Sequence, residues 1–585
     1  MREQFIPPLL LFKYSRPCGG IAVNAVHGSR ACFVVAVWLA STQIAVAEEP
    51  SKINHPAKNR LAEIIASLHV DEDSHAGHTL LVLASQTAAE CGFVVEAVPL
   101  AERISDDHMQ WVVLDAIENE LSSGRSPDSW TEVVQTAKTT GFRDRLLVRQ
   151  VAATSAMIDL DATQQLVARI EDPYWRINAL VGAATTARVA NQDAHAETLV
   201  DLAEAHLLAL ADEESNADRT VDDPDEQPHA VELSRQLQMN FVDVAIEMYA
   251  QDRNDRTRAI LKRVTSPFER EDAEDRRSEI DARRGDWRAA LESGGRTDVE
   301  WQVVDILLET GQLAAAREAV REIEMDYLCT RIARHIARSG QVEEAREILR
   351  GHKASIVEFA IIDADAARGA AERDEWKDSL ELLRIAIGRI ESSIETDRMS
   401  HNDLILVCSH VLNTSAAIDP GLERREIDRL LDVMQDRIPY IRGVAEPAQF
   451  QDSTVVVANI RLLNAAARQG RRHIAEAAFL RAWSKARNVW PLPFYLTIAA
   501  SRSGLDDLCV LSISADSNPA ARVTLFHVLA FERQRSLGSD NLMEVRTLST
   551  DPAERLSAEL GAIRGASAGD RSGINQSYRE VIGEE

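Results

Sequence analysis

Ser266-Pro267-Phe268-Glu269-Arg270 opens a stretch that runs to Gly285-Asp286-Trp287-Arg288-Ala289-Ala290-Leu291, and its reading decides the fold. A serine before a proline starts a helix. The hydroxyl caps a backbone N–H, while proline at the first helical position needs no N–H and already has a helical φ. Gly285 follows Pro267 by 18 residues and can take the left-handed conformation that ends a helix. Ala290, five residues later, is small enough for a second helix to pack closely on the first. The stretch reads as one antiparallel helical hairpin.

Both ends of this hairpin recur. Proline, then arginine three residues on, then Ala or Leu three further, appears at Pro173/Arg176/Ala179, Pro267/Arg270/Ala273, Pro439/Arg442/Ala445, Pro519/Arg522/Leu525 and Pro552/Arg555/Ala558. Four of these prolines follow a capping residue: Asp172, Ser266, Asn518 and Asp551. The last two motifs start 33 residues apart, and Arg143 precedes Arg176 by the same 33. Turn signals repeat too: Asn191 with Ala196, Gly311 with Ala316, Gly340 with Ala345, and Asp374 with Ser379. Apolar residues around them keep helical spacing, as in Ile332, Ile336, Ala345, Ile348 and Leu349. Recurring helix starts at such a period mean stacked helical repeats.

Gly285-Asp286-Trp287 followed by Ala290 resembles the inter-helix turn of a tetratricopeptide repeat, and Asp172-Pro173 and Asp551-Pro552 resemble the pair that closes such a repeat. The small residue that the family carries in its first helix is met by Ala184, Ser278 and Ala333; Val304 departs from it, and the family's first-helix Trp and Tyr are absent. The resemblance implies an all-α solenoid of antiparallel hairpins, a tetratricopeptide-like superhelix whose concave groove takes a protein or peptide partner.

Composition agrees with helices. The 585 residues are 45% hydrophobic but only 5% aromatic, which disfavours a strand-rich sandwich or barrel. So long a chain needs several domains or a linear stack. A formal net charge of −28 speaks against nucleic acid, whose binding rests on Lys and Arg, and against anionic membranes. Residues 1–47 read as an export leader. Arg2, Lys13, Arg16 and Arg30 precede apolar Cys32–Ala40, and Ala45-Val46-Ala47 is a small-x-small cleavage site before Glu48. An uncleaved anchor is the alternative. The mature chain is expected to be periplasmic or extracellular. It divides by composition into repeats at 48–210, an acidic linker or loop at 211–229, and repeats at 230–437 and 438–585. The helix Glu269–Arg284 is almost entirely charged, so it is expected to be exposed or weakly held.

Chemistry is hard to find. The sequence lacks a nucleophile elbow, a His-Glu-x-x-His, a phosphate loop and a dinucleotide fingerprint. Carboxylate pairs such as Glu343/Glu344 and Asp363/Asp365 are expected to lie on solvated helix faces. His69, Asp71, Glu72, Asp73, His75 and His78 form the most metal-like cluster, but the segment reads equally as a turn. The acidic run at 212–226 lacks the ligand spacing and glycine of a calcium loop. Cys91, Cys329, Cys408 and Cys509 have no short-range partners; they read as buried thiols, with a disulfide left open. Trp287, Trp301 and Trp376 read as packing near turns, the Trp490–Tyr495 cluster as a helix corner, and the recurrent arginine as a brace for the adjoining acidic turn. No catalytic, cofactor or metal residue is assigned. The expectation is a non-catalytic interaction scaffold; the alternative is a polysaccharide-acting enzyme on a helical toroid using two carboxylates.

Overall fold

A computed structural model describes residues 55–70, 74–122, 127–217, 227–293, 299–323, 326–351, 354–396, 399–418, 422–441, 448–486, 489, 491–537, 545 and 547–567. Among them are 27 α-helices and a 3-10 turn, with no strand. The leader, and the Ala47/Glu48 junction, lie outside the described residues. Among those described, no helix is long and apolar enough to cross a membrane.

The helices are stacked antiparallel hairpins, and one local frame builds them. Nine described turns pass through a residue with positive φ: Gly92, Asn191, Asp252, Gly285, Gly311, Gly340, Asp374, Gly470 and Gly504. In each, the N–H of the following residue donates to the carbonyl five residues behind it, as in Gln192 to Ala187 (2.8 Å), Gln312 to Leu307 (2.7 Å) and Arg471 to Ala466 (2.7 Å). This is the Schellman closure. Five residues after each turn residue comes Ala97, Ala196, Thr257, Ala290, Ala316, Ala345, Ser379, Ala475 or Cys509, all buried. The small side chain lets the second helix approach the first. Where one partner carries a hydroxyl, it bonds across the hairpin over 12 residues: Ser85 to the Ala97 carbonyl (3.0 Å), Ser278 to Ala290 (2.7 Å) and Ser379 to Ala367 (2.6 Å). Val304, against the small-residue expectation, is fully buried, like Ala316 in the next helix.

The joints between hairpins explain the proline–arginine motif. Asp172, Ser266, Asn518 and Asp551 accept backbone N–H groups of the helices beginning at Pro173, Pro267, Pro519 and Pro552. Arg176, Arg270 and Arg522 reach back six residues to the carbonyls of Ile170, Val264 and Asp516, each at 2.7 Å. The brace is therefore on a backbone oxygen left over at the previous helix end. Asp144 and Gln238, on preceding helices, accept the two N–H groups at the next start: Glu171 and Asp172 for one, Thr265 and Ser266 for the other.

Three local expectations are corrected. Pro439 starts no α-helix and sits in the 3-10 turn Ile438–Tyr440, while its motif partners Arg442 and Ala445 lie outside the described residues. Residues 211–217 are not linker, because the helix Asp193–Ala217 continues through them; 218–226 lie outside the described residues. The helix Pro267–Arg284 is held firmly despite its charge. Ala273, Ser278, Glu269, Asp275 and Asp281 are buried, and Arg276 pairs with Asp243 at 2.6 Å. Tyr249 donates to Asp281 at 2.8 Å. Apolar periodicity misses such a helix because ion pairs replace part of its apolar stripe.

The described hairpins form two compact units: one within residues 117–328, and a second made of the described residues before 117 together with those after 328. These limits do not coincide with the composition boundaries at 211–229 and 438. In the first unit the helices Thr140–Thr154, Pro173–Val189, Gln227–Ala250, Pro267–Arg284 and Val299–Glu309 pack in sequence order. In the second, Ile356–Glu372, His401–Ser415, Ala448–Arg468, Leu492–Arg502, Pro519–Leu537 and Pro552–Ser567 do the same. There the order then returns to the start of the chain, as the helix His75–Glu90 packs on both Pro519–Leu537 and Pro552–Ser567.

Candidate functional site

Asp363 and Asp365, expected on a solvated face, are both fully buried in the helix Ile356–Glu372. The correction follows from their partners. Arg334 Nε and Arg338 Nη2, on the helix Asp326–Arg338, lie 2.6 and 2.8 Å from the Asp365 carboxylate, and His410 Nε2 lies 3.1 Å from it. Asp363 takes Arg346 at 2.6 Å from the preceding helix Val342–Gly351 and Arg389 at 2.6 Å from the following helix Trp376–Thr396. Two aspartates at i and i+2 point to different sides of a helix, so this one helix is tied to four neighbours.

Geometry sets the electrostatics. Burial alone would raise the Asp365 pKa, but Arg334, His410 and Arg338 outweigh it and hold the carboxylate far below its usual range. Close backbone approach fixes the same seam: a Cβ on Gly369 would lie 2.8 Å from Arg338 Cα, so only glycine fits. A carboxylate ionised and saturated by two guanidiniums is a poor proton donor and a poor nucleophile. The network holds helices in register.

Other acids are taken in the same way across successive first helices. Glu247 receives Arg188 at 2.8 Å and the Thr185 hydroxyl at 2.8 Å. Glu532 receives Arg502 at 2.8 Å, and Glu554 receives Arg522 at 2.5 Å. Arg149 pairs with Glu118.

The remaining sequence candidates are surface residues or packing residues. His69 and His75 are exposed; His75 opens the helix His75–Glu90, and Ser74 caps it by accepting from Gly77. Asp71, Glu72 and Asp73 lie outside the described residues. Among those described, no group of three or more His, Cys, Asp or Glu is gathered as for a metal ion. Glu343 is exposed and bonded to Arg346 at 2.5 Å. The four cysteines are buried, and none is in a disulfide. Burial pushes the Cys408 and Cys509 thiols up to about 12. Trp287 is buried under Arg288, whose guanidinium lies 4.2 Å from its ring; Trp376 is 38% exposed, and Trp301 is half-buried. Leu492, Phe494 and Tyr495 are the buried start of a helix, as expected of a corner; Trp490 lies outside the described residues.

No protein-family model and no curated protein matches this chain. Among solved structures it is similar to one titled a circular tandem repeat protein with novel repeat topology and enhanced subunit contact surfaces. The two are 14% identical, the match covers 87% of this chain and 99% of that one, and the TM-score is 0.17. So loose a superposition carries no argument, and the helical-repeat architecture rests on the hairpins themselves.

Proposed function

We propose that this protein is an exported, non-catalytic helical-repeat scaffold that binds a protein or peptide segment along its stacked first helices. The observation that supports it most is the nine-fold hairpin frame, with buried acids spent on arginines of neighbouring helices. A framework of this kind maintains a long side-chain surface without a buried reactive group. The seven-plus-five spacing of small residue, left-handed turn and second small residue favours tetratricopeptide-like hairpins in degenerate form. Export is carried by the leader, with cleavage between Ala47 and Glu48. N-terminal sequencing of the protein from a periplasmic or culture fraction tests that part; Met1 retained in the membrane fraction defeats it.

Cross-linking in the exported fraction should recover a specific protein partner, released by alanine substitutions along one helix face. Turnover of a polysaccharide by the purified protein, lost on replacing one Asp or Glu, would instead establish the enzymatic alternative. That alternative gains one observation, the packing of the helix His75–Glu90 against the last described helices within one unit.

A further inference from the structure

His527, on the helix Pro519–Leu537, is fully buried. Its Nδ1 lies 3.1 Å from the Ser557 carbonyl of the helix Pro552–Ser567, and its Nε2 is sealed from solvent too. The two helices touch backbone to backbone along this stretch. A Cβ on Gly561 would lie 3.0 Å from His527 Cα, and one on Gly565 3.2 Å from the Phe531 carbonyl carbon. The Ser557 hydroxyl also donates to the Val523 carbonyl at 2.6 Å. So close a joint leaves the imidazole no path to water while the helices stay in place.

The helix His75–Glu90 packs on both members of this joint. Its Glu90 accepts from Arg564 Nη2 at 2.7 Å, and the Phe531 ring centre lies 5.6 Å from that guanidinium. Arg564 is only 3% exposed at its side chain, so its charge acts on His527 with little screening. With burial it holds the histidine well below its ordinary pKa. The carboxylates that could balance a second cation here are already paired. Glu90 serves Arg564, Glu559 serves Arg60, Glu554 serves Arg522, and Glu532 serves Arg502 and Arg535. Asp506 lies 3.8 Å from Arg533, Asp507 is exposed, and His75 and His78 stand at the far end of their helix from Glu90. A neutral ring therefore completes the seam, and an imidazolium has no counter-charge in it. Pro519–Leu537 and Pro552–Ser567 are locked to each other by backbone contact. His75–Glu90 is tied to them through the Glu90–Arg564 pair, so it is the member that yields.

We propose that protonation of His527 releases the helix His75–Glu90 from Pro519–Leu537 and Pro552–Ser567, which makes this seam an acid-sensitive latch in the fold. Opening hydrates both the imidazolium and Arg564. In the open seam the ring takes its proton near the ordinary value of about 6.5, so lowering pH from 7.5 to 5.5 should raise the opening equilibrium about tenfold. Amide hydrogen exchange of the full-length protein, read by mass spectrometry and corrected for the intrinsic rate at each pH, measures it. Protection across residues 79–90 should fall about tenfold, while residues 356–372 in the same unit keep theirs. His527→Gln, which takes up no proton, should protect 79–90 equally at both pH values. His527→Arg, charged throughout, should show the low protection already at pH 7.5, again with 356–372 unaffected. Unchanged protection in wild type overturns the proposal, and so does a fall that 356–372 share, because the transition is then global. A pH response that persists in H527Q assigns the latch to another group and overturns it as well. Should the glutamine variant fail to fold, wild type and H527R decide: an arginine variant that opens nothing, or that unfolds throughout, defeats a local latch.

Discussion

The Ser278 hydroxyl donates to the carbonyl of Ala290, 12 residues on and across the hairpin turn, at 2.7 Å. Both residues are buried, and Gly285 stands between them with φ 86°. Ser278→Ala removes the bond and little volume, so it should cost about 1 kcal/mol. Ser278→Leu must push the helices apart and should cost about 1–3 kcal/mol. Thermal unfolding ranks the two; a stable leucine variant would mean the pair is not a close crossing.

Turn conformation predicts opposite signs at equivalent sites. Gly340 has φ 94°, so Gly340→Val should destabilise by about 1–2 kcal/mol. Asp374 occupies the same place at φ 62°, where an L side chain is strained. Asp374→Gly should therefore be neutral or stabilising, by up to about 1 kcal/mol. Denaturant titration of both variants checks the contrast.

Gly369 admits no Cβ against Arg338 Cα, so Gly369→Ala should cost about 1–3 kcal/mol through displaced helices. The substitution improves local helix propensity. A stabilised alanine variant would thus refute the close approach directly.

Asp365→Asn leaves two guanidiniums short of their counter-charge. Breaking a buried pair costs about 3–5 kcal/mol, but Arg334 and Arg338 keep 23% and 32% of their side-chain surface, so about 2–3 kcal/mol is expected. The sign with pH follows from the depressed pKa of Asp365. Its contribution is full above the unfolded carboxyl value, near 4, and is lost as pH falls below that towards the folded value. Melting temperature from pH 5 to 2 should fall less steeply for the asparagine variant.

His527 acts in a higher window. It is buried, and its Nδ1 lies 3.1 Å from the Ser557 carbonyl, which only accepts, so Nδ1 carries the proton. Burial first, then Arg564, holds its pKa well below the ordinary value, the Ser557 bond opposing them. The unfolded chain therefore takes up a proton near pH 6.5 that the folded chain refuses. Stability is full above that pH and declines below it, by up to about 1.4 kcal/mol per unit. His527→Gln should flatten melting temperature between pH 6.5 and 5. His206 and His335 are shifted in the same direction, so some slope remains.

The repeat itself was legible in the chain. Cap, proline, left-handed turn and small residue act within about 20 residues, and local backbone physics fixes each of them. That is why Asp172, Ser266, Asn191, Gly285, Gly311 and Gly340 behave as read. Gly92, Asp252, Gly470 and Gly504 follow the same frame and could have been found by sliding it along the sequence. The environment of the charges was not legible. Asp363 and Glu343 look alike on their helices, yet one is sealed between arginines and the other faces water. The difference lies in residues on neighbouring helices, such as Arg389 for Asp363 and His410 for Asp365. Likewise no local pattern joins Glu90 to Arg564. Local sequence determines where helices start, turn and pair, because those energies are short-ranged. Which acids are buried, and which hairpin closes on which helix, is decided only when the chain brings distant guanidiniums and carboxylates together, since an unmatched buried charge is too costly to keep.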